Sequence, residues 1–373
     1  MVYHGRSRVA LACLIFLAAL AAGASAENAA ALTTGMNIVN PLRAKLEEQD
    51  ALIEQLRAAG VRVVRCGITD DAKGVDFAQR LKAAGIAIEL IVSAKYAPNA
   101  PTRAYQPQVY PEMWGGSPLS DADPQLSHAS FASLLGKLEA NDIALAGLEL
   151  GNEINWTAFN PEFPLPGEGK SLGLADLYHD SEGQQIAKGF LQYLKVLREL
   201  KDVRDASQLY AHTPIMTAGL VDAGPPGPRK SLLDNVTLDA TLAFMRANGL
   251  DNLVDAYAIH TYPSERGTPA AHSQRLYDIT VADCRPPGSA DGKPCWITEW
   301  GFPNADKMCP IDDGARTALV REYMGYFHTL ADAGRVAGVM YFSWDSDPWS
   351  KTVDRDSVYR CDALTSAGQA ALH

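Results

Sequence analysis

Two short apolar stretches, each ending in a glutamate, decide the fold: Leu145-Ala146-Gly147-Leu148-Glu149-Leu150-Gly151-Asn152-Glu153 and Pro294-Cys295-Trp296-Ile297-Thr298-Glu299-Trp300-Gly301. Both have the length and composition of a buried β-strand. Enzymes built on a parallel barrel gather their reactive groups where the strands emerge. The two stretches therefore predict strands whose carboxyl ends bring Glu153 and Glu299 to one site.

Working outward, short apolar runs alternate with segments of helical spacing along the rest of the chain. Gly60, Gly85 and Gly334 follow such helical segments, as C-terminal caps do. An open doubly wound sheet would show a glycine-rich turn after its first strand, but residues 37–41 read Asn-Ile-Val-Asn-Pro. We therefore predict an α/β fold, a (β/α)8 TIM barrel with long βα loops. The predicted strands are 34–39, 61–67, 87–93, 143–151, 209–218, 253–260, 295–299 and 338–344.

The N-terminus has the pattern of a processing signal. A basic start is followed by an apolar run over residues 9–20 and by Ala24-Ser25-Ala26, an A-x-A cleavage site. The run is short for a membrane span, so we expect cleavage rather than an anchor. Residues 1–26 are predicted to be a signal peptide and 27–373 a single catalytic domain. The protein would then be secreted or periplasmic.

The composition of the chain argues against some classes of binding partner. The chain of 373 residues carries a formal net charge of −11, which disfavours nucleic acid and anionic membranes. We expect a monomer. An oxidising compartment permits disulfides, and Cys284 with Cys295 and Cys309 with Cys361 are plausible pairs, although sequence does not fix connectivity. Cys66, inside an apolar strand, would be a buried free thiol. No Cys/His cluster with metal spacing occurs, so neither a metal nor a cofactor is predicted.

Strand alternation supports one inward-facing site. It predicts that the inward face carries Arg65 on the second strand, His260 and Tyr262 on the sixth, Cys295, Ile297 and Glu299 on the seventh, and Met340, Phe342 and Trp344 on the eighth. Glu149 would lie about 13 Å deeper than Glu153 on a regular strand. Arg65 is expected to lie too near the mouth to be an obvious partner for it, so we interpret Glu149 as a structural or strained residue.

These elements resemble clan A, the retaining β-glycosidases on (β/α)8 barrels, which includes cellulase-like and β-xylosidase-like families. The matching motifs are Asn152-Glu153, His260-Thr261-Tyr262 and Trp296-Ile297-Thr298-Glu299-Trp300-Gly301, with Arg65 and Trp344 at further strand ends. The resemblance implies Glu299 as nucleophile and Glu153 as acid/base. Arg65 and Tyr262 would keep the pKa of Glu299 low, while that of Glu153 would be raised. Substrate-binding residues are predicted to be Arg65, Asn152, His260, Tyr262, Trp344, Trp156 and Trp300.

The long loops after the predicted strands carry aromatic residues that suit sugar faces. We expect two or three true sugar contacts among Tyr96, Tyr105, Tyr110, Trp114, Trp156, Phe159 and Phe163. The leading hypothesis is a secreted hydrolase that acts internally on a β-linked poly- or oligosaccharide. An exo-β-glycosidase or transglycosylase using the same site, a non-catalytic carbohydrate-binding barrel and a metallohydrolase are the alternatives. The last lacks clustered His and Asp at strand ends.

Overall fold

The computed structural model describes residues 31–106, 108–110, 113–222, 233–262, 274, 276, 278–280, 282–345 and 353–373. The predicted signal peptide lies outside these residues. The strands are β1 (Thr33–Asn37), β2 (Val63–Gly67), β3 (Ala87–Val92), β4 (Leu145–Leu150), β5 (Ser171–Leu172), β6 (Ile215–Met216), β7 (Leu220–Val221), β8 (Asn235–Val236), β9 (Tyr257–Thr261), β10 (Cys295–Trp300), β11 (Val336–Tyr341), β12 (Tyr359–Arg360) and β13 (Ala363–Leu364).

Helices alternate with the barrel strands, and short-range signals fix their ends. Asp71 and Asp123 cap the helices that follow them, each accepting backbone N–H groups of the first turn. Gly60, Gly85 and Gly334 adopt positive φ just after helices, as expected. The helices are α1 (Leu46–Ala58), α2 (Ala72–Ala83), α3 (Pro124–Ala140), α4 (Asp176–His179), α5 (Ser181–Ala206), α6 (Leu238–Ala247), α7 (Gly314–Asp332), α8 (Val353–Asp356) and α9 (Ser366–Ala370).

The main sheet closes into the predicted barrel. Its strand order is β6-β4-β3-β2-β1-β11-β10-β9-β7, and its strand pairs are parallel. The two ends, β6 and β7, are successive pieces of one barrel strand, and a bridge between Met216 and Ala256 joins β6 to the chain before β9. The (β/α)8 fold is therefore confirmed, with its fifth strand in two pieces. That strand begins later than predicted, because residues 208–213 form turns.

Two apolar layers support the barrel. The larger lies between the sheet and the surrounding helices. The smaller fills the interior and consists of Val63, Met216, Ala256, Ala258, Trp296 and Met340. This floor leaves the polar residues only the upper levels of the barrel, towards the carboxyl ends of its strands.

Two disulfides tie the barrel together. Cys284 is bonded to Cys295 at the start of β10, and Cys309 is bonded to Cys361 near the C-terminus, so both expected pairs are confirmed. Cys66 is free and buried, and burial raises the pKa of its thiol. Within the described part of the chain, no helix has the length and apolar character needed to cross a bilayer.

Candidate active site

Glu153 and Glu299 meet at the carboxyl ends of β4 and β10. One carboxylate oxygen of each residue and Nδ1 of His260 all lie within 4.8 Å of one another. The glutamates are 5% and 8% exposed, and His260 is fully buried. Two carboxyl groups at this spacing, largely withdrawn from water, form the centre of the site.

Glu153 reaches this position because the chain turns where β4 ends. Gly151 has φ 86° and Glu153 has φ 46°, so neither residue continues the strand. The backbone N–H of Glu153 donates to the carbonyl of Gly219, with N and O 2.8 Å apart. Glu153 is therefore held by the fifth barrel strand as well as by its own. The expected depth of Glu149 below it, which assumed a regular strand, does not apply.

Glu299 faces inward because β10 contains a bulge. The register between β10 and β9 shifts between Ile297 and Glu299. Below the shift Trp296 points into the barrel floor, while Cys295 and Ile297 belong to the outer layer. The prediction that Cys295, Ile297 and Glu299 share one face is wrong, because the extra residue changes the phase of the strand.

Trp300 is a further correction on the same strand. Its ring is fully buried in the layer between sheet and helices. It packs edge-on against Phe327 and Tyr341, with ring centroids 4.9 Å apart in each case, and stacks near Tyr323. The residue after an inward-facing glutamate points outward, so Trp300 packs in the helical layer, where its full burial leaves no surface for a sugar.

Arg65 is the hub of the site. Its Nη1 donates to Oε1 of Glu299 at 2.7 Å and to Oδ1 of Asn37 at 2.8 Å. Its Nη2 donates to Glu149 at 2.5 Å and to Oδ1 of Asn152 at 3.0 Å, and its Nε donates to Glu149 at 3.2 Å. These bonds use all five guanidinium N–H groups, and one on Nη2 is also shared with Nε2 of His260 at 3.3 Å. With 2% of its surface exposed, Arg65 holds the carboxylate of Glu299 and has no donor left for a sugar.

Glu149 is paired with Arg65, contrary to the prediction from sequence that Arg65 lies too far away. The sheet register places Arg65 level with Glu89 and Gly147, so Arg65 starts two residues below Glu149 and reaches it easily. Oε1 of Glu149 also accepts the backbone N–H of Gly219 at 3.1 Å. Glu149 is thus a paired, buried carboxylate that orients the arginine.

Glu89 is a buried acid that the sequence interpretation missed. Its Oε2 lies 3.2 Å from Nε of Arg65, yet neither of its oxygens accepts a hydrogen bond within the described structure. Burial and the nearby charge of Glu149 raise its pKa well above the ordinary value. A single acidic residue inside the apolar run 87–92 was the available signal.

His260 connects the two sides of the site through one defined tautomer. Its Nδ1 lies 2.8 Å from Oε1 of Glu153, and its Nε2 lies 3.3 Å from Nη2 of Arg65. An arginine can only donate, so Nε2 must be the acceptor and Nδ1 carries the proton towards Glu153. Burial and Arg65 lower the pKa of His260, which favours this neutral form. Since the ring is fully buried, His260 positions Glu153, and the expected direct contact with substrate does not fit.

The same tautomer bears on metal binding. Glu153, His260 and Glu299 have the spacing of a three-ligand metal site. A ligating imidazole nitrogen must present a lone pair, but Nδ1 presents its proton to Glu153. The donor set therefore suits proton transfer better than metal binding.

Burial and hydrogen bonding act differently on the two central carboxyl groups. Burial raises the pKa of Glu153, and the charge of Glu299 adds to this, while the interactions with His260 and the charge of Arg65 oppose it. Burial also raises the pKa of Glu299, although Arg65 and Tyr262 pull it down. The predicted low pKa of Glu299 is thus wrong in direction, because desolvation outweighs both donors. Glu299 still has a cationic donor and Glu153 does not, so a single proton resides preferentially on Glu153.

Tyr262 and Phe342 border the nucleophile side. The hydroxyl of Tyr262 donates to Oε2 of Glu299 at 2.5 Å, while its ring is 42% exposed. Phe342 lies edge-on to that ring, with centroids 6.0 Å apart. Trp344 lies elsewhere: it follows the end of β11, is fully buried and stacks on Tyr359 at 5.3 Å. Phe342 therefore occupies the place predicted for Trp344, which is not in contact with the site opening.

Asn152 and Trp156 stand on the acid/base side. Asn152 is partly exposed, and its Oδ1 accepts from Arg65, which leaves both N–H groups of its Nδ2 to donate to a sugar hydroxyl. Trp156 begins a row of aromatic rings that runs outward through Phe159 and Trp114 to Tyr105, with successive centroids 6.1, 6.5 and 5.3 Å apart. Phe163, from the same predicted set, is 2% exposed and packs in the core.

Arg103 fixes the loops that carry this row. Its side chain donates to the carbonyls of Trp114 at 2.9 Å and Thr157 at 2.8 Å, which lie in the loops after β3 and β4. Its backbone pairs with Gly116. The two loops are therefore joined by one guanidinium into a single wall beside Glu153.

We compared the sequence and the fold with those of known proteins. No family model and no curated protein matches the sequence. Among solved structures, an endoglucanase from Clostridium acetobutylicum matches with a TM-score of 0.56 at 13% identity, over 92% of this chain and 97% of that one. A fungal β-1,4-galactanase matches with 0.53 at 13%, over 91% and 94%. An endo-β-1,4-mannanase from Thermotoga petrophila matches with 0.51 at 14%, over 91% and 75%. At these identities the likeness establishes the fold alone, the (β/α)8 barrel.

Proposed function

We propose that the protein is a retaining β-glycoside hydrolase. The observation that carries the proposal is the approach of Glu153 and Glu299, whose oxygens lie within 4.8 Å of each other while their partners differ. Carboxyl groups about 5–5.5 Å apart suit a double displacement, whereas inverting enzymes separate them by about 6.5–9.5 Å to admit a water. A cationic donor on one carboxyl group and a neutral one on the other assign their roles.

In the first step Glu299 is the nucleophile. Its carboxylate attacks the anomeric carbon while the glycosidic bond breaks and the proton of Glu153 passes to the leaving oxygen. Oε1 of Glu153 is taken by His260, and Oε2 is buried without a hydrogen-bond partner in the described structure. Oε2 is therefore the atom that carries the proton.

In the second step the roles of Glu153 reverse. The ester has removed the negative charge of Glu299, so one cause of the raised pKa of Glu153 disappears. Glu153 then accepts a proton from a water whose oxygen attacks the anomeric carbon and releases Glu299. Nδ2 of Asn152 is placed to bind the sugar 2-hydroxyl, a contact that strengthens as positive charge develops on the ring.

Replacement of each glutamate tests the mechanism. Glu299→Gln should reduce turnover of an aryl β-glycoside to background. In Glu153→Ala, azide should restore cleavage of an activated aryl glycoside and yield the β-azide. Glu47→Gln, at an exposed position on α1, serves as the control and should retain full activity. Normal turnover in Glu299→Gln, or an α-azide product, would contradict the proposal.

The substrate we propose is a β-linked polysaccharide that is cleaved internally. The aromatic row beside Glu153 and the long loops after β3 and β4 support binding of several sugars in sequence. The solved structures compared above are those of a galactanase, an endoglucanase and an endo-mannanase. Product lengths from labelled galactan, glucan, mannan and xylan oligosaccharides decide the mode, because an exo-acting enzyme would release terminal sugars only.

A further inference from the structure

The fifth barrel strand is interrupted between β6 and β7, and the interruption lies against the acid/base residue. Residues 217–219 leave the regular ladder. The backbone N–H of Ala218 donates to the Tyr193 hydroxyl at 2.8 Å, and that of Gly219 donates to Glu149 at 3.1 Å. The carbonyl of Gly219 accepts the N–H of Glu153 at 2.8 Å. Hydrogen bonds that a regular strand would give to its neighbours are used here to hold site residues.

The backbone conformation of Gly219 does not require a glycine, so the reason for this residue lies in its surroundings. Its φ lies outside the left-handed region, so an L-residue could adopt the same conformation. A Cβ added there would lie 1.9 Å from Nε2 and 2.5 Å from Cε1 of His260. The imidazole is fully buried and held at both nitrogens, by Glu153 and by Arg65, so it cannot turn aside without losing a partner.

We propose that Gly219 is a positioning residue for acid/base catalysis: the space left by its missing side chain seats His260, which in turn orients Glu153. This inference rests on the proposed function. It makes the break in the fifth strand part of the catalytic apparatus, since the same glycine holds the backbone of Glu153 and the carboxylate of Glu149.

A methyl group at position 219 should affect one step more than the other. Displacing the imidazole removes the hydrogen bond from His260 that stabilises the ionised form of Glu153, so the pKa of Glu153 rises further. The protonated form needed for the first step remains available, whereas the base needed for the second step is depleted. Deglycosylation should therefore slow more than glycosylation.

Gly219→Ala tests this on an activated aryl glycoside, for which deglycosylation limits kcat. We expect kcat at neutral pH to fall at least tenfold, the acid limb of its pH profile to move to higher pH, and azide to restore part of the rate. Gly67→Ala is the matched control at the end of β2, where an added Cβ would have its nearest neighbour at 3.9 Å. An unchanged pH profile in Gly219→Ala would overturn the inference.

A second measurement needs no substrate. In protein labelled with ¹⁵N-histidine, the signals that disappear in His260→Ala report on this ring. In the wild type they should show one neutral tautomer with the proton on Nδ1, and in Gly219→Ala they should shift or begin to titrate. If the wild type hydrolyses no glycoside, the proposed function fails while this experiment still tests the positioning. Unshifted His260 signals would refute it.

The double variant Gly219→Ala/His260→Ala covers failure to fold. If the contact with the imidazole is the cause of any loss, removing the ring should restore folding and make the stability of the double variant equal to that of His260→Ala. The opposite result is that Gly219→Ala costs as much stability when added to His260→Ala as when added to the wild type. In that case contact with His260 is not the reason for the glycine, and the inference is wrong.

Discussion

One guanidinium contacts three buried glutamate side chains at the centre of the barrel, and this determines the role of Arg65. Glu89, Glu149 and Glu299 all lie within salt-bridge distance of it. A lysine would keep the charge but not the planar fork that reaches several acceptors at once. The contribution of Arg65 is therefore geometric as well as electrostatic.

Arg65→Lys should lower kcat about 100-fold, equivalent to about 2.7 kcal/mol of activation free energy, with little change in KM. The reason is that Arg65 holds the nucleophile and has no N–H free for substrate. Steady-state kinetics on an aryl glycoside measure both constants, with Arg80→Lys on α2 as the surface control. A rise in KM at unchanged kcat would instead mean that Arg65 binds the sugar.

Glu89 should make stability depend on pH. Its pKa is raised in the folded chain, so the folded state holds this proton more tightly than the unfolded state does. The group therefore favours folding at low pH, and this contribution is lost as the pH rises through the folded-state pKa. Glu89→Gln should flatten the decline of unfolding free energy by up to about 1.4 kcal/mol per pH unit.

Urea titrations from about pH 4.5, the ordinary pKa of a glutamate, upward measure this effect. Glu47→Gln should follow the wild-type slope, because the side chain at position 47 is exposed. Parallel curves for wild type and Glu89→Gln would show that Glu89 is already ionised in the folded protein.

At the scale of elements, β10 shows how one strand serves two layers. The bulge between Ile297 and Glu299 turns the nucleophile inward and leaves Trp300 among the rings of α7. Chemistry and packing thus occupy adjacent residues. Substitutions on the two faces should separate into kinetic and thermodynamic effects.

Trp300→Ala should destabilise the fold by about 3–5 kcal/mol through the cavity it leaves, while KM of the folded fraction stays unchanged. Phe342→Ala should do the reverse: KM should rise severalfold with a smaller loss of stability, because Phe342 is partly exposed beside Tyr262. Denaturant unfolding and kinetics on both variants decide. A higher KM in Trp300→Ala would restore it as a substrate contact.

At the scale of the whole molecule, the two disulfides close loops of different length. The Cys284–Cys295 bond closes 11 residues and the Cys309–Cys361 bond closes 52. Loop-closure entropy gives about 3 and about 4 kcal/mol for these lengths. Variants with one pair of cysteines replaced by serine should therefore both lose stability in urea, the Cys309/Cys361 variant more, and reductant should lower the Tm of the wild type more than that of either variant, which keeps one disulfide.

Much of this arrangement follows from sequence patterns that act over short distances. Strand alternation and helix caps predict the barrel, and strand ends predict that Arg65, His260, Tyr262, Glu153 and Glu299 come together. The failures arise where distant parts of the chain decide. A bulge resets the phase of β10, the register between β2 and β4 brings Arg65 to Glu149, and the end of β11 removes Trp344 from the inward face. Gly219 was missed because its neighbour, His260, is distant in sequence.

The clip formed by Arg103 has a consequence for how this scaffold can be altered. Its guanidinium satisfies carbonyls of two loops that come from different βα units. If only one of these loops were moved into another barrel, either the guanidinium of Arg103 or the carbonyl of Thr157 would lose its hydrogen-bond partner. The segments around residues 103–116 and 156–159 should therefore be exchanged together. Chimeras that combine one of these segments with a foreign copy of the other should rarely be functional.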